Sequence, residues 1–165
     1  MEIRNIVKEP SSNAVIRFQD CDPFGHLYNS RYIDYFINTR EDHLAEYYGL
    51  DIYERQKTLK ENWLIIKHEI AYIAPAVFRE AVLIRTCLLA FTEDSILMEG
   101  VMLDAERKSL KSVLWTRFKY FSFAKRGATQ HPQKIMQLFE AISNGNGIDC
   151  SNFDARVRSH RTRYS

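Results

Sequence analysis

Residues 15–36 read VIRFQDCDPFGHLYNSRYIDYF. A β-branched and aromatic run, residues 14–20, suits a strand. A run of helical spacing begins at Ser30. Between them lie two acidic residues, a cysteine, a proline, a glycine and a histidine within seven positions. Pro23 fixes its own φ and pushes Asp22 towards an extended conformation, while Gly25 permits a backbone geometry that other residues resist. A surface turn needs that proline and that glycine. It does not need Asp22, His26 and Asn29 as well.

Working outward, Tyr32, Tyr35, Phe36, Thr39, His43, Ala45 and Tyr47 recur at helical spacing. Asn29 or Ser30 is the expected N-cap and Gly49 the expected stop. The helix is apolar over much of its circumference, so burial on more than one side is expected. A polar loop is expected over 51–61. Four strands follow, at 63–73, 80–91, 95–104 and 109–123, with the short joints TED and AERK suiting hairpins. Residues 131–142 have helical spacing, and SNGNG at 143–147 ends them. Long antiparallel strands and one buried helix make a two-layer α+β domain. The expected division is one domain over 1–145 and a polar, basic tail over 146–165.

Composition narrows the function. The chain has 165 residues, of which 45% are hydrophobic and 13% aromatic, enough for one real core. Twenty-three basic against 21 acidic residues give a net charge of +2, which offers no whole-chain argument for nucleic acid. Cys21, Cys87 and Cys150 are widely spaced without a CxxC pattern, which argues against a disulfide framework or a zinc site. No signal-peptide core and no run of about 18 apolar residues is present, so a cytoplasmic protein without membrane attachment is expected. The end of the tail, RVRSHRTRYS, carries arginines at 156, 158, 161 and 163. It reads as solvated, with contact to an acidic partner as the lesser alternative.

The joint itself can carry chemistry. Its bland reading is a turn capped by Asp22 with His26 at the surface. Its position argues for more. The loop feeds a helix start, where the first backbone amides have no internal partner and the dipole end is positive. A carbonyl oxygen placed there would have its developing negative charge stabilised. A carboxylate just upstream could attack that carbonyl or activate a water.

RFQDCDPFGHLYNSRYIDYF, followed by a long helix and four strands, resembles the hotdog-fold acyl-CoA thioesterases of the 4-hydroxybenzoyl-CoA thioesterase-like group. The resemblance spans about residues 14–125. Its pattern, Asp-x-x-Gly-His and then an Asn shortly before a Tyr, falls on Asp22, Gly25, His26, Asn29 and Tyr32. The resemblance implies a sheet wrapped around the long helix, and a homodimer or dimer of dimers with active sites at the subunit interface. It implies Asp22 as catalytic carboxylate and backbone amides around Asn29 as the site of the thioester oxygen. Gly25, His26, Tyr28 and Tyr32 would shape the substrate site, with no cofactor. Many relatives have a second Asn where Tyr28 stands, so Tyr28 is expected to alter the acyl pocket.

Other polar residues have plainer readings. Cys21 should alternate away from the Asp22 pocket and be inert. His68 and Glu69 should face opposite ways on a strand, and His43 should be packed within the structure. Glu41 and Asp42 read as solvated. Trp115, Phe118, Tyr120, Phe121 and Phe123 read as core and interface. Arg117, Lys125 and Arg126 are candidates for the phosphates of coenzyme A, against an equally plausible solvated edge. The leading expectation is hydrolysis of an acyl-CoA or acyl-carrier-protein thioester. The alternatives are a non-catalytic acyl-thioester-binding or scaffolding module, and a different reaction on the same fold such as dehydration of a hydroxyacyl thioester.

Overall fold

The computed structural model describes residues 6–165. Among these residues six strands form one antiparallel sheet: β1 (Ser11–Val15), β2 (Glu61–Tyr72), β3 (Ala81–Phe91), β4 (Ser95–Asp104), β5 (Leu110–Ser122) and the short β6 (Gly127–Ala128). The order is β1-β3-β4-β5-β2, with β6 pairing the end of β5. Four helices accompany it: α1 (Asn29–Tyr48), α2 (Ile52–Leu59), α3 (Gln133–Ile142) and α4 (Phe153–Arg163).

The long helix lies on one sheet face, as the resemblance implied. Tyr32, Phe36, Thr39, Arg40 and His43 are buried, a stripe of helical period. Gly100 in the middle of β4 lets the helix close in, because a β-carbon there would collide with the ring of Phe36. His43 fastens the helix to two strands. Its Nε2 lies 2.8 Å from the Ser12 hydroxyl and its Nδ1 2.8 Å from that of Thr86. Burial and the nearby Arg40 push its pKa down to about 4, so it is neutral at pH 7. The opposite helix face is exposed at Arg31, Asp34, Asn38 and Asp42, so the expectation of burial on several sides does not hold for the single chain.

The boundaries depart from expectation at informative places. The first strand ends at Val15, and Phe18–Asp20 form a 3-10 turn, because the backbone must bend to enter the Asp22 loop. The expected loop at 51–61 contains α2, capped by Asp51, whose side chain accepts from the amides of Tyr53 (2.9 Å) and Glu54 (3.0 Å). Neither Asn29 nor Ser30 caps α1. Tyr28 holds the cap position and offers no side-chain bond.

The largest departure is the expected solvated tail. Residues 153–163 form α4, which lies on the sheet face opposite α1 and makes a third layer. Glu99 explains why. It points to that outer face from mid-β4 and is 1% exposed. Arg156 grips it with two bonds of 2.8 Å, while His160 (3.1 Å) and the Trp115 indole (2.9 Å) donate to it as well. Residues 96–103 are buried throughout because helices cover both faces of β4.

Strand β2 forms an edge of the sheet. A bulge between Ile65 and Lys67 shifts its register against β5. Trp63 and Tyr72 would face opposite ways in an unbroken strand. The extra residue changes the parity of alternation, so both face α1. No helix among the described residues is long and apolar enough to cross a membrane.

Candidate active site

The loop after the 3-10 turn is built around Asp22. Its Oδ1 accepts from the amides of Phe24 (2.9 Å) and His26 (3.0 Å). Its own amide donates to the His26 carbonyl (2.8 Å), and its carbonyl accepts from Gly25 (3.0 Å). Gly25 sits at φ 77°, where a side chain would be strained, and this is why a glycine stands three residues after the aspartate. The carboxylate is thereby fixed through one oxygen. Oδ2 has no hydrogen-bond partner among the described residues.

The loop delivers the chain to the start of α1. The Tyr28 amide donates to the Asp20 carbonyl (3.0 Å), and that of Arg31 donates to the Tyr28 carbonyl (2.9 Å). The amides of Asn29 and Ser30 between them find no backbone acceptor among the described residues, and no side chain caps this end. Such amides, at the positive end of a 20-residue helix, suit an anion or a developing oxyanion.

A cleft of about 470 Å³ joins these parts, lined by Asp22, His26, Tyr28, Asn29 and Tyr32 on one side and by Tyr72, Ile73, Ala74 and Pro75 on the other. A second cleft of about 500 Å³ meets Asp22, Gly25 and Tyr28 from the far side, with Phe18 and Phe78 as walls. Five of the residues picked from sequence, Asp22, His26, Tyr28, Asn29 and Tyr32, thus line one cleft, and Gly25 shapes its neighbour. Tyr32 forms its floor, with its hydroxyl accepting from the Ala76 amide (3.0 Å). Sequence reasoning missed Tyr72, whose hydroxyl donates to the Asn29 carbonyl (2.8 Å) and pins the helix start to the end of β2. Nothing in a strand-like AYIAP marks that role.

Other candidates fall elsewhere. Arg117 donates to the Cys150 carbonyl (3.0 Å) on the outer sheet face and does not meet the cleft, since its strand alternation turns it away. Lys125 and Arg126 are exposed on the turn after β5. Cys21 does not alternate away from Asp22, because the strand has already ended; both line the same outer cleft. Burial and then the carboxylates of Asp20 and Asp22 push its thiol pKa up, which disfavours a thiolate nucleophile. His68 bonds the Thr116 hydroxyl (2.9 Å). Cys87 is buried, which pushes its thiol up to about 12.

Comparison with known proteins decides the family. The family model described as the thioesterase-like superfamily matches residues 16–139. The chain belongs to the thioesterase-like superfamily. That membership makes thioester hydrolysis its class of chemistry. Solved structures of the hotdog fold agree in architecture. Slr0204, a 1,4-dihydroxy-2-naphthoyl-CoA thioesterase from Synechocystis, is 15% identical, with a TM-score of 0.73 over 87% of this chain and 98% of that one. The hypothetical protein TT1821 from Thermus thermophilus is 24% identical, with a TM-score of 0.73 over 82% of this chain and 98% of that one. SAV2348 from Staphylococcus aureus, solved in complex with CoA, is 11% identical, with a TM-score of 0.73 over 80% of this chain and 82% of that one. No curated protein sequence matches the chain.

Proposed function

We propose that this thioesterase-superfamily protein hydrolyses acyl-CoA thioesters in the Asp22 cleft. The observation that carries this reading is the Asp22 carboxylate beside the uncapped start of α1 in one cleft, held by two amides through Oδ1 with Oδ2 engaged by no described residue. The thioester carbonyl oxygen would lie at the Asn29 and Ser30 amides, which stabilise its charge as the carbonyl becomes tetrahedral. Asp22 either attacks the carbonyl carbon or removes a proton from a water that does so. The carbon–sulfur bond breaks, coenzyme A leaves, and one water is consumed to give the carboxylic acid. Gly25 and His26 hold the loop in register, while Tyr28 and Tyr32 shape the acyl path.

The site is completed by a second copy. β2 is an edge strand of 12 residues carrying exposed Leu64, Ile65 and Ile66, the last 60% exposed. A long apolar edge invites pairing with another chain. Antiparallel pairing of two β2 strands lays the Trp63 end of one beside the Tyr72 end of the other. Lys125 and Arg126 lie at that same Trp63 end, where the Phe123 amide donates to the Lys60 carbonyl (2.8 Å), and would meet the phosphates of coenzyme A across the interface. α4 already covers the outer sheet face, so a dimer of dimers would form through other surfaces.

Purified protein should release free thiol from at least one member of a panel of short, long and aromatic acyl-CoAs. Acyl-CoA binding without release from any of them would favour the binding-module alternative. Light scattering should give twice the protomer mass, and Leu64→Lys with Ile66→Lys should give monomers with turnover reduced by at least about tenfold. A fully active monomer would remove the composite site.

A further inference from the structure

No side chain caps the start of α1, yet that end is held. An ordinary cap would occupy the first amides of the helix. Here the brace reaches a carbonyl instead. The Tyr72 hydroxyl, at the end of β2, donates to the Asn29 carbonyl oxygen (2.8 Å). The helix end is thus fixed from the sheet, while the Asn29 and Ser30 amides keep no partner among the described residues.

The bond bears on one amide in particular. The Asn29 carbonyl and the Ser30 N–H belong to one planar peptide unit, so fixing the oxygen fixes the direction of the N–H. A donor on that oxygen also polarises the unit and makes its N–H the stronger donor. The preceding unit is braced by the helix itself. Its Tyr28 carbonyl, which shares a peptide with the Asn29 N–H, accepts from the Arg31 amide (2.9 Å). Tyr72 is in turn well held. Its ring meets that of Tyr32 edge-on, at 5.2 Å between centres, and the Tyr32 hydroxyl accepts from the Ala76 amide (3.0 Å). Burial pushes the Tyr72 hydroxyl above its ordinary pKa, so it keeps its proton and remains a donor at pH 7. The bulge in β2 between Ile65 and Lys67 sets the parity that turns this ring towards α1. Tyr72 also lines the cleft that contains Asp22.

We infer that Tyr72 is a positioning residue for the thioester oxygen: through the Asn29 carbonyl it aims and polarises the Ser30 amide and leaves that amide open. Its proton is spent on Asn29, so it acts through the peptide and not on the substrate. The turnover part of this inference rests on the hydrolase reading; the carbonyl-binding part does not.

Tyr72→Phe keeps the ring against Tyr32 and removes only the hydroxyl. It should lower kcat for acyl-CoA hydrolysis about tenfold, the worth of one hydrogen bond, with KM changed by less than about twofold. A pin serving stability alone would lower the melting temperature and leave the kcat of the folded protein as it was. Tyr72→3-fluorotyrosine, a stronger donor of nearly the same shape, should match or exceed the wild-type kcat below neutral pH, where its hydroxyl stays protonated. A second readout needs no turnover. The acyl-CoA of the panel that is best cleaved, or best bound if none is cleaved, is labelled with ¹³C at its thioester carbonyl and bound to Asp22→Asn. In infrared difference spectra its C=O stretch should lie at lower wavenumber than in free acyl-CoA, and adding Tyr72→Phe should move it part of the way back. Should Tyr72→Phe fail to fold, the fluorotyrosine variant decides, since its stronger donor should lower the stretch further. Wild-type kcat in Tyr72→Phe, a carbonyl band that neither variant moves, or a panel from which no acyl-CoA binds overturns the inference. A band that moves with Tyr72 in a protein that cleaves no thioester would instead sustain the inference and overturn the hydrolase reading.

Discussion

Asp22→Asn should lower kcat for acyl-CoA hydrolysis by roughly 10³-fold or more, with KM and the oligomer little changed. A positioned general base contributes about 10²–10⁴ in rate, and a nucleophile that forms a covalent intermediate at least as much. The substitution is informative because of how the carboxylate is held. The amide oxygen of the substituted side chain would still accept from Phe24 and His26, so the loop keeps its two anchoring bonds. Only the charge and basicity at the other oxygen are lost. Asp22→Ala removes the anchors as well, and should add a stability loss of about 1 kcal/mol, comparable to losing a helix cap. Loss of turnover in both variants, with thermal destabilisation confined to the alanine, would separate chemistry from loop geometry. An asparagine variant with wild-type turnover would remove Asp22 from the mechanism. Repeated turnover in ¹⁸O-labelled water separates direct attack from water activation. Direct attack, with water resolving the anhydride at the aspartyl carbon, puts solvent oxygen into the Asp22 carboxylate, whereas water activation leaves it unlabelled.

This part of the site was legible from sequence because its residue types are unusual for their place. A loop needing only a turn still carried Asp22, His26 and Asn29 next to a helix start, and Gly25 does occupy a left-handed conformation. Gly49 was likewise legible as the stop of α1, and sits at φ 62°. Short polar helices were not legible. α2 buries no residue fully and α4 buries only Val157 and His160, so neither shows a clear apolar stripe. Their caps were visible all the same: Asp51, and Asn152, whose side chain accepts from the Ala155 amide (3.0 Å). The bulge in β2 left no glycine or proline behind, and with it went the common facing of Trp63 and Tyr72. In the sequence Arg40 is one of three consecutive charged residues, with Glu41 and Asp42. Only the packing of α1 against the sheet shows that it falls on the buried side.

Glu99 stood in the middle of the apolar run SILMEGVMLD, and a charge there needs a partner. Arg156 of the tail, with His160 beside it, is that partner, and the pairing makes α4 part of the fold rather than an appendage. Burial alone would push the Glu99 carboxyl up, but the hydrogen bonds from Arg156 and His160, reinforced by their charge, hold it at about 2. An unfolded glutamate titrates near ~4.3. The folded state therefore binds its proton less readily than the unfolded one, so this contribution is complete above that value and lost as pH falls towards 2. Its size is about 3 kcal/mol, at ~1.4 kcal/mol per pKa unit. His43 acts in a separate window: its depressed pKa costs stability as pH falls from about 6.5 towards 4. Urea titrations of the wild type should thus show two successive losses on acidification, and Glu99→Gln should shrink the lower one, leaving the part due to the depressed carboxyls of Asp94 and Asp104. Arg156→Met, which leaves Glu99 buried without its bidentate partner, should destabilise by about 3–5 kcal/mol at pH 7. Replacing both residues together, as Glu99→Leu with Arg156→Met, should recover most of that loss, since no uncompensated charge is then left inside. If the double variant is as unstable as the sum of its parts, the ion pair is not what fastens α4, and the aromatic contact of Phe153 with Trp115, at 5.3 Å between ring centres, is the next candidate.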